Sequence, residues 1–285
     1  MFQNVTKNEV LIMTFLRLTF MVALLLPCAA SASSVELNFN QEANSVNADI
    51  TLSPTVSLDF SIGFEKTVGL TEQNFNVSAE LISLTDPRLV NRLPDSLLTT
   101  LPAAFPVLIS VEPDPAKGFA FSGEAKIELY TKSLHYTQGT PLRLFHAHGD
   151  ETFQDITLMT GSGSYRVRGS TGQFSDFVVL ADLRDNLDVI NIKLSDLQDF
   201  TDRVRQKLSF EAETQLVDLV EEVSSSLNQS DYAQVKIALN ELINLIESDN
   251  GTLYPDVWRS SDDITNVRGR LLSLTQTLRY SLRIH

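Results

Sequence analysis

The chain has 285 residues, 43% of them hydrophobic, and a formal net charge of −14. This composition is ordinary for a globular protein and leaves room for one or two domains. A surface with this much negative charge repels phosphate backbones, so it argues against nucleic-acid binding and against docking on anionic lipid.

The first 32 residues have the parts of a secretory signal peptide. Lys7 and Arg17 supply positive charge, residues 18–26 form an apolar run (LTFMVALLL), and Ala30-Ser31-Ala32 is a small-x-small cleavage site. The apolar run is far shorter than the ~20 residues that a transmembrane helix needs. We therefore expect cleavage near Ala32 and a mature protein in the periplasm or outside the cell. Either Met1 or Met13 can be the start, because residues 13–32 alone would make a compact signal peptide.

Cys28, the only cysteine, allows a second interpretation of this segment. A lipoprotein would be cleaved just before Cys28 and lipidated on its thiol, but Pro27 fits that cleavage poorly, since it favours small flexible residues. Cleavage after Ala32 removes Cys28. The mature chain would then have no disulfide and would depend on core packing for its stability. No later segment is apolar for long enough to cross a membrane, so we expect no membrane span.

From about Val35 to Ala181 the apolar residues recur with a period of two. The clearest run is residues 56–64 (VSLDFSIGF), where every second side chain is large and apolar. Turn sequences rich in glycine, proline and aspartate separate further segments of this kind, and no helical segment alternates with them. The pattern predicts an antiparallel β-sandwich of roughly seven to nine strands over residues 33–182. Residues 86–101 are the exception and are expected to form a long loop with one or two helical turns.

After Asp182 the apolar residues are spaced three and four apart, as in amphipathic helices. Residues 183–194 contain neither proline nor glycine and are interpreted as a connector between two domains. Ser195 is the expected N-cap of a long helix whose apolar stripe runs to Leu227.

Two more helices are expected in the C-terminal part. One begins after Ser230 or Asp231 and ends before Gly251, and the other carries the apolar stripe of residues 264–282. The prediction for residues 195–285 is thus a three-helix domain, a bundle or helical hairpin that either folds alone or packs on the sandwich. The expected fold class is α+β, with an N-terminal antiparallel β-sandwich followed by these helices.

His146-Ala147-His148-Gly149-Asp150 is the sharpest candidate for a metal site. On a strand, His146 and His148 would point to the same face, and one metal ion could meet both imidazoles. The motif also resembles part of the His-x-His-x-Asp signature of metallo-β-lactamase-like hydrolases. However, Glu151 stands where that signature has its next histidine, and the alternating strands and helices of those enzymes are not predicted here. We favour a hairpin turn at Gly149-Asp150, keep the three residues as weaker metal candidates, and expect no cofactor.

Tyr254 and the only tryptophan, Trp258, lie in an aromatic segment between two predicted helices. Exposed aromatic side chains of this kind can form a binding hot spot. More often they fill the gap where a helical bundle meets its neighbour. We favour packing and keep both residues as candidates for binding.

The sequence offers no clear catalytic set. The Gly-Ser sequences at residues 161–164 and 169–172 match neither a nucleophile elbow nor a dinucleotide fingerprint. Carboxylates are abundant, and a paired acid and base remains open, but no pair stands out.

Two groups of segments carry a resemblance. Residues 141–145 (PLRLF), 153–157 (FQDIT), 163–169 (GSYRVRG) and 174–179 (FSDFVV) resemble the closing strands of β-sandwich modules in exported bacterial proteins. Together with residues 255–259 (PDVWR), 266–269 (NVRG) and 278–282 (LRYSL), they look like an uncharacterised family, a domain of unknown function, of secreted Gram-negative bacterial proteins. The resemblance implies an exported protein with an N-terminal sandwich and C-terminal helices. That family has no assigned activity, so no functional residue can be transferred.

These observations favour an exported, non-enzymatic binding or structural protein of the cell envelope, with an unidentified protein or glycan partner. The alternative is a carboxylate-dependent hydrolase that acts on glycan or peptide.

Overall fold

Two antiparallel sheets form the first part of the computed structural model, which describes residues 33–285. The predicted signal peptide, with Cys28 and the cleavage site near Ala32, lies outside the described residues. In chain order the strands are β1 (Ser34–Asn40), β2 (Ser45–Ser53), β3 (Val56–Val68), β4 (Val77–Leu81), β5 (Thr99–Thr100), β6 (Val107–Val111), β7 (Ala120–Thr131), β8 (Leu142–Ala147), β9 (Gln154–Asp155), β10 (Thr157–Gly161), β11 (Tyr165–Thr171), β12 (Asp176–Asp182) and β13 (Val257–Arg259). Residues 33–182 thus contain more strands than expected, because two-residue strands such as β5 and β9 have no apolar alternation to reveal them.

The first sheet has the order β1-β2-β3-β7-β11-β10, and β13 also pairs with β7. The second sheet has the order β4-β6-β12-β8-β9, with β5 paired to β12. A single apolar core joins the two sheets face to face in a sandwich-like arrangement, and the rings of Phe60 and Phe177 meet there with centroids 5.6 Å apart. In β3 the predicted alternation is confirmed, since the five apolar side chains from Val56 to Phe64 are all buried.

The outer face of the second sheet is covered by the segment that joins β4 to β6. Helix α1 (Pro87–Val90) lies in this segment and is capped by the Asp86 carboxylate, so the predicted loop with a short helical turn is confirmed. Leu89 belongs there to a second, smaller apolar cluster that also contains Phe145 and Val178. The central strands β6, β12 and β8 are therefore largely buried on both faces, whereas the edge strand β4 is partly exposed.

The C-terminal part contains four long helices among the described residues, so the prediction of a three-helix segment is wrong. They are α2 (Asn186–Val204), α3 (Phe210–Asn228), α4 (Tyr232–Ser248) and α5 (Val267–Ile284). Their apolar faces form a core of their own. Among residues 33–285, no helix is both long enough and apolar enough to span a membrane.

The extra helix arises because the stripe assigned to one helix belongs to two. Helix α2 begins at Asn186, where the Asp185 carboxylate accepts a hydrogen bond from the Leu187 N–H, so Ser195 lies inside the helix and caps nothing. A 3-10 turn (Arg205–Lys207) then ends α2, and Leu208 is extended. Ser209 caps α3, where its hydroxyl accepts from the Ala212 N–H at 3.3 Å.

Helix α5 packs on the first sheet against β7, β10 and β11. Its N-cap, Asn266, is fully buried and donates through its amide nitrogen to Gly123 O at 2.6 Å and Gly172 O at 3.2 Å. The amide oxygen of Asn266 accepts from the Gly269 N–H at 2.8 Å. A Cβ at Gly269 would lie 2.2 Å from Gly123 O, so only glycine permits this approach. Asn266 therefore fixes where the helices sit on the sheets.

Candidate functional site

A cleft of about 220 Å³ lies where α2 and α5 meet the loops of the second sheet. We call it the junction cleft. Helix α2 contributes Lys193 and Asp196, α5 contributes Arg270, and the sheet side contributes His146 and Asp155. Because these residues are far apart in sequence, the cleft exists only through the packing of helices on sheets.

The buried pair of Lys193 and Asp155 forms one wall of the junction cleft. The Lys193 ammonium lies 2.7 Å from Asp155 Oδ2 and also donates to Thr277 Oγ1 at 2.7 Å and Ser281 Oγ at 2.9 Å. The other Asp155 oxygen accepts from the Thr157 N–H at 2.9 Å. Every polar atom of the pair thus has a protein partner, which is what makes buried charges tolerable.

The pKa values of the pair agree with an ionised state. Burial favours a higher pKa for Asp155, but the Lys193 charge and the hydrogen bonds from Thr157 outweigh it and hold this pKa below its ordinary range. Burial lowers the pKa of Lys193, and the charge of Asp155 opposes that change. The pair is therefore an ion pair that links α2 to β9, and each oxygen of Asp155 has a protein partner.

Arg270 differs from Lys193 because its guanidinium has no acceptor in residues 33–285, whether as a hydrogen-bond partner or as an ion-pair partner. Its side chain is partly buried and lies over the Phe200 ring, 4.6 Å from the centroid. Burial lowers the pKa of Arg270. The backbone of Gly172 lies so close to the start of α5 that a Cβ at this glycine would be 2.5 Å from the Arg270 backbone nitrogen and 2.7 Å from its Cγ. The guanidinium thus has no direct acceptor, and the carboxylates of Glu151, Asp262 and Asp196 act on its charge only from a distance.

Asp196, about one turn after Lys193 in α2, is the acidic counterpart of Arg270 in the cleft. Burial and, to a smaller extent, the charge of Asp199 raise the pKa of Asp196. A second, wider depression adjoins the junction cleft and shares Asp196 and Arg270 with it. Of the three cations that line the junction cleft, Lys193 and Arg184 are paired with Asp155 and Asp182, which leaves Arg270 as the cation without a direct partner. The cleft also presents the Asp196 carboxyl group, whose acidity is weakened.

The three metal candidates have different surroundings. His146 is buried in the wall of the cleft, its Nε2 accepts from the Ser175 N–H at 3.3 Å, and burial is the main reason why its pKa falls to about 3. His148 lies just beyond β8, with Nδ1 bonded to Phe174 O and Nε2 3.0 Å from the Asp262 carboxylate. Asp150 is exposed in the turn. Within residues 33–285, no group of three or more His, Cys, Asp or Glu side chains is arranged to hold a metal ion.

The two aromatic candidates are both buried. Trp258 is 4% exposed, packs against Phe121 and Phe174, and donates from Nε1 to Asp262 Oδ1 at 3.3 Å. Tyr254 lies in the helical core, where its hydroxyl donates to Ala212 O at 3.3 Å. Neither ring is available as an exposed hot spot.

Sequence reasoning missed Lys193, Asp196 and Arg270. A signal for Lys193 was present, because it stands four residues from both Val189 and Leu197 and so lies on the apolar face of a helix. That signal was lost when residues 183–194 were interpreted as a connector. Arg270 carries no comparable local signal.

A comparison with curated proteins finds no match. The model of a family described only as a family of unknown function, DUF6689, matches residues 20–285. This match confirms the expected relation to an uncharacterised family. Because it spans nearly the whole chain, the chain belongs to the DUF6689 family.

Proposed function

We propose that the chain is an exported, non-enzymatic binding protein of the cell envelope that takes a small acidic ligand in the junction cleft. Export rests on the signal-peptide pattern of residues 1–32, which ends in Ala30-Ser31-Ala32. Binding rests on one observation, the oriented guanidinium of Arg270 that lacks an acceptor among the described residues.

The chemistry of Arg270 indicates the kind of group that would bind. A partly desolvated guanidinium without an acceptor is costly, and a carboxylate would satisfy it through two parallel hydrogen bonds. Gln154 and Ser273 also line the junction cleft and offer polar contacts to the rest of a ligand. His146 stays neutral near pH 7 because burial lowers its pKa to about 3, so it offers a neutral surface beside Arg270. An acidic saccharide combines a carboxylate with hydroxyl groups and is the ligand class that we favour.

The binding proposal can be tested with a matched pair of sugars. N-Acetylmuramic acid is N-acetylglucosamine with an added lactyl carboxylate, so the two differ in the group that Arg270 would bind. We expect the acidic sugar to shift the NMR signals of residues around the cleft, and the neutral sugar to do so much more weakly. Arg270→Gln should abolish the difference, because a neutral amide cannot form the charge-assisted pair.

Arg168→Gln is the matched control, since Arg168 is an exposed arginine that pairs with Glu128 on the first sheet. It should leave sugar binding unchanged. Native mass spectrometry of the exported wild type and of Arg270→Gln gives a second measurement, because a small acidic molecule bound to the wild type should be missing from the variant. The proposal would be contradicted if neither sugar bound and no such molecule were found.

The alternative function, a carboxylate-dependent hydrolase, has one observation in its favour. Asp155 and Asp196 line the same cleft, and their pKa values move in opposite directions, as in pairs of catalytic carboxylates. Against it, both oxygens of Asp155 already bind protein groups, one the Lys193 ammonium and the other the Thr157 N–H, so Asp155 is held in a structural ion pair. We expect no new reducing ends when the protein is incubated with peptidoglycan. Release of reducing ends by wild type but not by Asp196→Asn would show that the protein is a hydrolase and would contradict the non-enzymatic proposal.

Export has its own test, N-terminal sequencing of the protein recovered from periplasm or medium. We expect the mature chain to begin at Ser33. A lipid-modified Cys28 at the N-terminus would instead make the protein a lipoprotein.

A further inference from the structure

A separate cavity of about 270 Å³ lies between α4, α5 and strand β10, away from the junction cleft. Its charged side chains are Lys236 on α4 and Arg279 and Arg283 on α5, and no aspartate or glutamate lines it. We call it the basic groove. Three cations without an acid are unexpected in a chain whose net charge is −14.

The three cations of the basic groove are also uncompensated at close range. No carboxylate of residues 33–285 lies within ion-pair distance of Lys236, Arg279 or Arg283. Other arginines of the chain do have such partners, for example Arg92 with Asp176 at 2.7 Å and Arg184 with Asp182 at 2.7 Å. Pairing is thus available to cations in this protein and is missing at the groove.

Neutral groups hold the two guanidinium groups in position. Arg279 Nη1 donates to Asn240 Oδ1 at 2.8 Å, and Arg283 Nη2 donates to Leu158 O at 3.2 Å. The Arg283 guanidinium also lies 5.3 Å from the centroid of the Tyr280 ring. These contacts orient the side chains without cancelling their charge, and they leave the remaining N–H groups for another acceptor.

Helix dipoles explain only part of this arrangement. Arg283 lies in the last turn of α5, where a cation is favourable, and Arg279 lies about one turn earlier. Lys236 lies in the first half of α4, where the dipole does not favour a cation. Its position is better explained by the groove that it shares with the two arginines.

We propose that the basic groove binds a phosphoryl group. Two guanidinium groups provide planar pairs of donors that match phosphate oxygens, and the lysine adds a point charge. The group can belong to a soluble phosphate compound or to a lipid headgroup, and both offer the same chemistry to the groove. This site does not depend on the ligand of the junction cleft.

Titration calorimetry with pyrophosphate tests the proposal on the exported protein. We expect saturable binding to wild type that weakens as salt is added. The double variant Arg279→Gln/Arg283→Gln should bind about tenfold more weakly or worse, because both oriented, charge-assisted donors are lost. Lys236→Gln should cause a smaller loss.

Arg168→Gln again serves as the control, since it removes a cation from a different part of the surface. Circular dichroism of each variant shows whether the fold is retained, and Lys236→Gln gives an independent measurement if the double variant fails to fold. Absence of binding to wild type overturns the proposal, and so does equal affinity in a folded double variant or an equal loss in Arg168→Gln.

The source of the phosphoryl group is distinguished by a sedimentation assay with vesicles of phosphatidylcholine, with and without phosphatidic acid. Binding only to phosphatidic acid vesicles, displaced by pyrophosphate, supports the proposal with a lipid headgroup as the source. Pyrophosphate binding without vesicle binding supports it with a soluble phosphate compound.

Discussion

Lys193 shows how one buried charge can join two parts of a chain. Its ammonium binds Asp155 on β9 and the hydroxyl groups of Thr277 and Ser281 on α5. A buried ion pair of this kind gives little net stability compared with an apolar pair, but the loss of one partner leaves the other charge buried and unpaired. The pair therefore matters most for holding α2, α5 and β9 in their relative positions.

We predict that Asp155→Asn lowers the free energy of unfolding at pH 7 by about 3–5 kcal/mol, because the Lys193 charge loses its counter-ion. The folded-state pKa of Asp155 is below its ordinary value of 3.8, so its contribution is complete above that value and is lost as the pH falls through the folded-state pKa. The difference between wild type and Asp155→Asn should therefore narrow below pH 3.8. Urea unfolding at several pH values measures it.

Glu80→Gln provides a comparison, because Glu80 belongs to an exposed ion pair with Arg88. Its removal should change stability little at any pH. A difference for Asp155→Asn as small as that for Glu80→Gln would show that the buried pair does not join the two parts.

At the level of elements, the break between α2 and α3 could not be predicted from the spacing of apolar residues. Val204, Leu208 and Ala212 continue the apolar stripe in steps of four across the break, and no proline or glycine interrupts it. The available signal was Ser209 followed by Glu211 and Glu213, a capping residue with acids in the first turn. The strands were easier to predict, because a buried face imposes its period of two on every strand such as β3.

Two serines test where the helices begin. Ser209→Ala should destabilise the protein by about 0.5–2 kcal/mol, because the Ala212 N–H loses its capping acceptor. Ser195→Ala should be neutral or stabilise by a few tenths of a kcal/mol, since Ser195 is exposed inside α2 and alanine is the better helix former. Urea unfolding of both variants measures the two effects. A larger loss of stability in Ser195→Ala than in Ser209→Ala would indicate that a helix begins at Ser195.

At the scale of the whole molecule, the C-terminal part adds a strand to the first sheet. Strand β13, which follows three of the four long helices, pairs with β7 and brings Trp258 into the core between the sheets. The junction cleft has the same origin, because Asp155, Lys193 and Arg270 come from three distant segments. A site assembled in this way has no local motif, so the sequence predicted the sheets and the helical character of the C-terminal part but not the cleft.

The pairing of β13 with β7 and the packing of α5 on the first sheet predict that the sheets and the helices unfold together. Trp258 is the only tryptophan, so its fluorescence reports on the place where β13 meets the sheet, whereas far-ultraviolet circular dichroism at 222 nm reports mainly on the helices. We expect the two signals to give coincident urea transitions. Loss of the helical signal at a lower urea concentration than the fluorescence change would show that the two parts are independent.

The late position of β13 in the chain also has a consequence for biogenesis. Residues 120–122 of β7 gain their β13 neighbour, and the core gains Trp258, only when residues 257–259 have been made available. Contacts between such distant segments form slowly, because the long intervening loop must be closed first. In a chain that is exported as we propose, this delay would keep the core incomplete until nearly the whole polypeptide has crossed the membrane. The position of one short strand would thus couple the last step of folding to the end of transport.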